Sequence, residues 1–200
     1  MRIALLVEGA TEMAFKPHLI SFLQQRLTGR MPKLDVFSCQ GRIYKEAKLK
    51  RTVESLLSGK HAADAVVALT DVYTGTTDFS DAQDARAKMT QWVGGNPAFF
   101  AHAAQHDFEA WLLPYWIDIQ RIAGHNKNAP PGQPEKVNHG CPPSYHVKEI
   151  FRLGRTRNYS KPRDANAILR DKDLAISAAA CPELKAFLNT ILNLCGGVPL

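Results

Sequence analysis

What this chain lacks narrows its class before any motif is read. No apolar run approaches the ~20 residues that span a bilayer as a helix, so no membrane-spanning segment is expected. There is no internal repeat and no low-complexity tract, which excludes solenoid and fibrous architectures. Cysteine is scarce. Cys39, Cys141, Cys181 and Cys195 are scattered, without the close spacing of a disulfide framework or a zinc ribbon. The opening Met1-Arg2, five apolar residues and Glu8, is too short for a secretory leader and has no small-residue cleavage site. Free thiols without an export signal predict a reduced, cytoplasmic protein. Gly9 and Gly75 do not form a Walker loop, so nucleotide binding is not indicated.

What is present describes one well-packed unit. The 200 residues are 45% hydrophobic and 22% charged, and a domain of this length buries roughly 70% of its unfolded surface. Lys and Arg number 25 against 19 Asp and Glu, a formal charge of +6. The excess is uneven. Residues 26–51 hold eight basic side chains against two acidic, and residues 147–163 six against one, leaving the remainder at −5. Two basic segments on an acidic body fit a polyanionic partner, nucleic acid being the commonest. They fit solvated helix faces equally.

The first half alternates strand and helix signals. Residues 2–7 (RIALLV), 33–38 (KLDVFS), 65–70 (AVVALT) and 98–104 read as strands, the first and third as continuous apolar runs buried on both faces. Helices are expected from Thr11, as N-cap, to about Leu27, over 43–57, from an N-cap at Ser80 to Trp92, and over 107–116. Strands alternating with helices imply an α/β fold with a parallel sheet. Ligand sites in such sheets lie at the carboxyl ends of the strands. The residues there are Glu8, Asp71 and the cluster His106-Asp107-Phe108-Glu109. Residues 1–121 thus read as the α/β domain. Residues 122–144, with five of the chain's twelve prolines, read as a long loop. Residues 145–200 read as a helical cap on the same domain, with helices over 147–153, 164–169 and 182–194.

Carboxylates on rigid strand ends suit a hard cation, which takes one or two of them and keeps waters as its other ligands. Glu8 and Asp71 each follow a buried strand, and Glu109 follows the next one. Glu12 falls in a first helical turn, where it complements the helix dipole and is placed to support an ion from behind. His106 is followed by Asp107 and Glu109 and could act as a base. His125, His139, Cys141 and His146 have no zinc-like spacing. Trp92, Trp111 and Trp116 lie on helical patterns and read as core.

Three phrases carry a resemblance. Val7-Glu8-Gly9-Ala10-Thr11-Glu12 resembles the VEG-x-TE signature of Toprim-like proteins related to the OLD (overcoming lysogenization defect) nucleases. Thr70-Asp71-Val72-Tyr73-Thr74-Gly75, with Asp78-Phe79, is similar to a D-x-Y-G…DF pattern of an uncharacterised bacterial Toprim-like family, and Gln105-His106-Asp107-Phe108-Glu109-Ala110-Trp111-Leu112-Leu113 to its H-E-F-E-A-L-L segment. A stretch with Tyr159, Lys161 and Cys181-Pro182 looks familial too, so the likeness covers nearly the whole chain. It implies a Toprim-like parallel sheet of about four strands sandwiched by helices, with a C-terminal helical extension and a Mg²⁺ (or Mn²⁺) site. In that family a glutamate after the first strand and a D-x-D after the third hold the metal. Glu8 and Asp71 match; Tyr73 stands where the second aspartate would be. Asp78, Asp81 and Glu109 are each candidates for the missing carboxylate.

The activity so implied is metal-dependent phosphodiester hydrolysis, acting beside an ATPase partner in defence or DNA repair. Catalytic residues would be Glu8, Asp71, Glu109 and Lys161, with Glu8, Asp71 and Glu109 on the metal. Arg155, Arg157, Lys161 and Arg163 would face nucleic acid and stabilise charge on the phosphate. The competing reading is a non-catalytic module that binds nucleic acid or a partner protein, which the loss of the second aspartate favours.

Overall fold

In the computed structural model, which describes residues 1–72, 78–137, 141–155 and 157–200, the apolar runs pair as expected. Strands β1 (Arg2–Val7), β2 (Lys33–Ser38), β3 (Ala65–Asp71) and β4 (Phe99–Ala104) form a parallel sheet in the order β2-β1-β3-β4. Val7 lies opposite Ser38 and Leu69, and Asp71 opposite Ala104, so the carboxyl ends of the strands share one edge. Alternation along the strands divides the core. Ile3, Leu5, Val7, Val67 and Leu69 face one side, and Ala4, Leu6, Val66 and Ala68 the other.

The chain reverses direction after β2, stepping back over β1 to β3. Right-handed crossovers then require the helix before the reversal and those after it to lie on opposite faces. They do. Helix α1 (Ala10–Gln24) buries Phe15, Leu19 and Phe22 on the first face, while α2 (Glu46–Leu56) and α3 (Ala82–Val93) bury Leu49, Val53, Ala85 and Met89 on the second. Helices α4 (Trp116–Ala123), α5 (Pro143–Gly154), α6 (Lys161–Leu169), α7 (Leu174–Ala180) and α8 (Pro182–Leu194) all add apolar residues to the α1 side. The fold is the expected four-stranded parallel sheet between helices, with a C-terminal helical extension.

Local departures have local causes. The helix expected over 107–116 is two 3₁₀ turns, Phe108–Trp111 and Leu113–Tyr115. Phe108, Ala110, Trp111 and Leu112 are all buried, so this segment has no amphipathic stripe, and Pro114 removes a backbone donor. Helix α1 is capped by Gly9 rather than Thr11, which is buried, and α3 by Asp81 rather than Ser80; the Asp81 carboxylate accepts from the Asp84 N–H at 2.8 Å. Within 122–144, Glu135 is buried and accepts from Trp111 Nε1 at 3.0 Å and from the Glu183 N–H at 3.1 Å, which pins this stretch to the core. Gly154 lets α5 meet the end of α4: a Cβ there would sit 1.8 Å from the Ala123 carbonyl oxygen. Among the described residues no helix is long and apolar enough to cross a membrane.

Candidate functional site

The reversal at β1 and β3 opens the crevice at which α/β sheets place their ligands. Glu8 leaves β1 beside the end of β3. Its Oε1 accepts from the Thr70 hydroxyl and from the Asp71 N–H at 3.2 Å, so two donors of β3 hold it. One turn into α1, Glu12 Oε2 accepts from the Gly9 N–H at 3.0 Å. From β4 the chain turns through His106, in the left-handed region at φ 70°, to Asp107 and Glu109. Asp107 Oδ2 accepts from the Ser144 N–H at 3.1 Å, and Oδ1 is buried without a hydrogen-bond partner among the described residues. Glu109 is fully buried, its Oε1 accepting from the Tyr159 hydroxyl at 3.1 Å and its Oε2 from Lys161 Nζ at 3.0 Å.

Five carboxylates therefore converge with one ammonium, and their acidities record it. Burial, with the adjacent Glu12 charge, pushes the Glu8 carboxyl up to about 7 against the pull of the Thr70 hydroxyl. Asp71 is raised well above its usual range by burial and then by the charges of Glu12, Glu8, Asp107 and Glu109. Glu12, Asp107 and Glu109 are raised as well, each chiefly by burial. Burial alone would lower the Lys161 ammonium; the charges of Glu109, Asp71 and Asp107 outweigh it and hold the group at about 12. Burial and the Glu109 charge keep the Tyr159 phenol protonated.

Of the residues singled out in the sequence, Glu8, Asp71, Glu109 and Lys161 meet here. Asp78 pairs instead with Lys45 at 2.6 Å, and Asp81 is committed to capping α3. Tyr73 and Gly75 lie outside the described residues, as does His139. Arg157 and Arg163 converge on the fully buried Asp164, Arg163 Nε at 3.0 Å, so both carry a structural duty apart from the carboxylates. Arg155 is exposed at the left-handed end of α5. Sequence reasoning passed over Asp107 as a separate ligand, along with Thr70 and Tyr159. Thr70 carried a signal, a hydroxyl at the end of a buried strand; Tyr159 stood out only as part of a familial stretch, because it acts across 50 residues of chain.

The donor set suits a divalent cation. Buried carboxylates that outnumber their cations, one of them with an orphaned oxygen, would be relieved by a hard positive ion. Among the described residues no three His, Cys, Asp or Glu side chains form a ready-made cage. Mg²⁺ does not need one, because it keeps several waters and takes one or two carboxylates. Both oxygens of Glu109 are engaged by Tyr159 and Lys161, which makes Glu109 the holder of the ammonium. If an ion binds here, Glu8, Asp71 and Asp107 would be the side chains to face it.

Comparison with solved structures finds the same fold. The C-terminal region of the Burkholderia pseudomallei OLD protein matches with a TM-score of 0.52 at 12% identity, covering 96% of this chain and 98% of that one. The C-terminal region of the Xanthomonas campestris pv. campestris OLD protein matches with a TM-score of 0.50 at 15% identity, covering 97% and 96%. The relation to OLD proteins expected from the phrase at 7–12 is thus borne out in the fold. No curated protein matches the sequence. A family model described as "Domain of unknown function (DUF4276)" matches residues 7–192, and the chain belongs to that family.

Proposed function

We propose that this chain is a Mg²⁺- or Mn²⁺-dependent nuclease of Toprim-like fold that hydrolyses phosphodiester bonds at the carboxylate cluster. The observation that carries this reading is the meeting of Glu8, Asp71 and Asp107, from three strand ends, with a Lys161 ammonium fixed by Glu109. A bound divalent ion would supply Lewis acidity and a water of lowered pKa. The chain's own residues do the rest. Lys161, held at 3.0 Å by Glu109 and 38% exposed at its side chain, reaches from the buried cluster toward solvent, where it can meet the charge of a phosphate. Tyr159 fixes the other oxygen of Glu109, so the ammonium is held before substrate arrives. An ATPase partner and a role in defence or DNA repair belong to this proposal through the resemblance to OLD proteins.

The substitution of Tyr73 for a second aspartate favours the rival reading, a module that binds without cleaving. Calorimetric titration of the metal-free protein with Mn²⁺ tests the site. The expected result is one saturable heat that disappears in Asp71→Asn. Equal heats in wild type and variant would remove the metal from this site, and the non-catalytic module would then be the better reading.

A further inference from the structure

Helix α5 starts at the carboxylate cluster, because the Ser144 N–H in its first turn binds Asp107 Oδ2. Beyond Ser144, Tyr145, Lys148 and Arg152 are spaced i, i+3 and i+7, so they share one face that runs away from the cluster. All three are exposed, the Tyr145 ring at 48%. The neighbouring His146 ring stands edge-on to Tyr145, with centroids 5.7 Å apart. Lys148 and Arg152 form no ion pair with any described residue, in contrast to Arg157, Lys161 and Arg163. The acid beside them, Glu149, is neutralised by Lys127.

This face walls a groove of about 440 Å³ lined by Tyr145, Lys148, Glu149, Arg152, Asn158 and Tyr159. Tyr159 closes the groove at the Glu109 side, since its hydroxyl donates to Glu109 Oε1. The groove is therefore tied to the cluster at both walls, by Ser144–Asp107 and by Tyr159–Glu109. Lys148 and Arg152 feel the charges of Asp107 and Glu149 without a direct ion pair, and an exposed flat ring followed by two such cations one turn apart matches the two chemistries of a single strand, bases that stack and phosphates that need charge. A duplex would hide its base faces from Tyr145.

We propose that the α5 groove binds single-stranded nucleic acid, with Tyr145 stacking on a base and Lys148 and Arg152 holding phosphates that lead toward the carboxylate cluster. The inference rests on the nuclease reading for its direction but not for its test, which is run in EDTA with no cleavage. The probe is a labelled oligothymidylate of about twelve nucleotides, beside the same length of duplex, single-stranded RNA, and a polyglutamate competitor. Tyr145→Ala should weaken single-strand binding roughly five- to a hundredfold with its salt slope unchanged, and Tyr145→Phe should retain it. The pair Lys148→Ala and Arg152→Ala should each lower the slope by ~0.7. Lys50→Ala, exposed on α2 at the opposite face of the sheet, should bind as wild type does.

Binding of Tyr145→Ala equal to that of wild type would overturn the stacking site. So would equal losses on single strand and duplex, no wild-type binding, or displacement by polyglutamate as effective as by oligonucleotide. RNA and DNA bound alike support the stated chemistry, and a preference for one names the source. If binding follows these expectations while no cleavage appears with metal, the groove stands and the nuclease reading fails.

Discussion

The backbone N–H of Asp71 donates to Oε1 of Glu8 at 3.2 Å, tying the last residue of β3 to the first residue beyond β1. Because the strands are parallel and adjacent, this bond lies at the point where the chain reverses direction across the sheet. It fixes the Glu8 carboxylate beside that of Asp71, whose acidity the Glu8 charge helps to raise. Two like charges held together by the fold, with an Asp107 oxygen that has no hydrogen-bond partner among the described residues, are a cost to the metal-free protein.

Glu8→Gln should stabilise the metal-free protein at pH 8 by about 1–2 kcal/mol, since it keeps an acceptor for Thr70 and removes a buried charge. For a chain of this size that is roughly 2–4 °C in Tm per kcal/mol. Thermal melts in EDTA check it, and an equal or lower Tm for the variant would oppose it.

The difference between Glu8→Gln and wild type should depend on pH in a defined direction. The Glu8 carboxyl keeps its proton to about 7 in the fold but loses it near 4.5 when unfolded. Wild-type stability from this group is therefore intact below about 4.5 and declines as pH rises through 7. Taking the difference between the two proteins cancels the buried histidines, of which His102 is lowered to about 4 and acts in the opposite sense. Urea midpoints should coincide below about 4.5 and separate, with the variant higher, as pH rises from there to about 7, the gap levelling off above it. A gap that is constant with pH would place the Glu8 carboxyl outside the cluster's influence.

Asp107→Asn should weaken Mn²⁺ binding more than Glu109→Gln does. Asp107 has an oxygen unengaged by any described residue, whereas both oxygens of Glu109 are taken by Tyr159 and Lys161. Glu109→Gln should instead lower the Lys161 pKa from about 12, visible in the ¹⁵N shift of the ammonium. The reverse order of metal affinities would return Glu109 to the ion.

Arg157→Ala should act on stability. It removes one partner of the fully buried Asp164, leaving Arg163 and the Ser160 N–H at 2.7 Å. A loss of about 1–3 kcal/mol is expected, with the affinity for oligonucleotide in the folded protein unchanged. Denaturant unfolding and binding measured on the same preparation separate the two.

The sheet was legible because its strands are short apolar runs followed by turn residues, and the positions of Glu8 and Asp71 were legible with it. Pairing of Val7 with Leu69 needs only the strand pattern. The 3₁₀ turns from Phe108 to Tyr115 were not legible: apart from Pro114 every residue in them is buried, so no periodicity distinguishes them from a helix. Helix α7, with its run of alanines over 178–180, is short and has no apolar stripe to announce it. The division of labour between Asp107 and Glu109 depends on Ser144 of α5, Lys161 of α6 and Tyr159 just before α6, which arrive 37 to 52 residues later in the chain. Likewise, Arg157 and Arg163 read as free charge in the sequence because nothing in it marks Asp164 as buried.

The most direct measurement is cleavage of labelled single- and double-stranded oligonucleotides by the purified chain, with Mn²⁺ and with EDTA, for wild type, Glu8→Gln and Asp71→Asn. Wild type should cut only with metal, and either substitution should reduce the rate by a hundredfold or more, since removing one well-placed electrostatic group costs on the order of 10²–10³, while the fold stays intact by circular dichroism. Metal-dependent cutting by Glu8→Gln at the wild-type rate would contradict the assignment of this site.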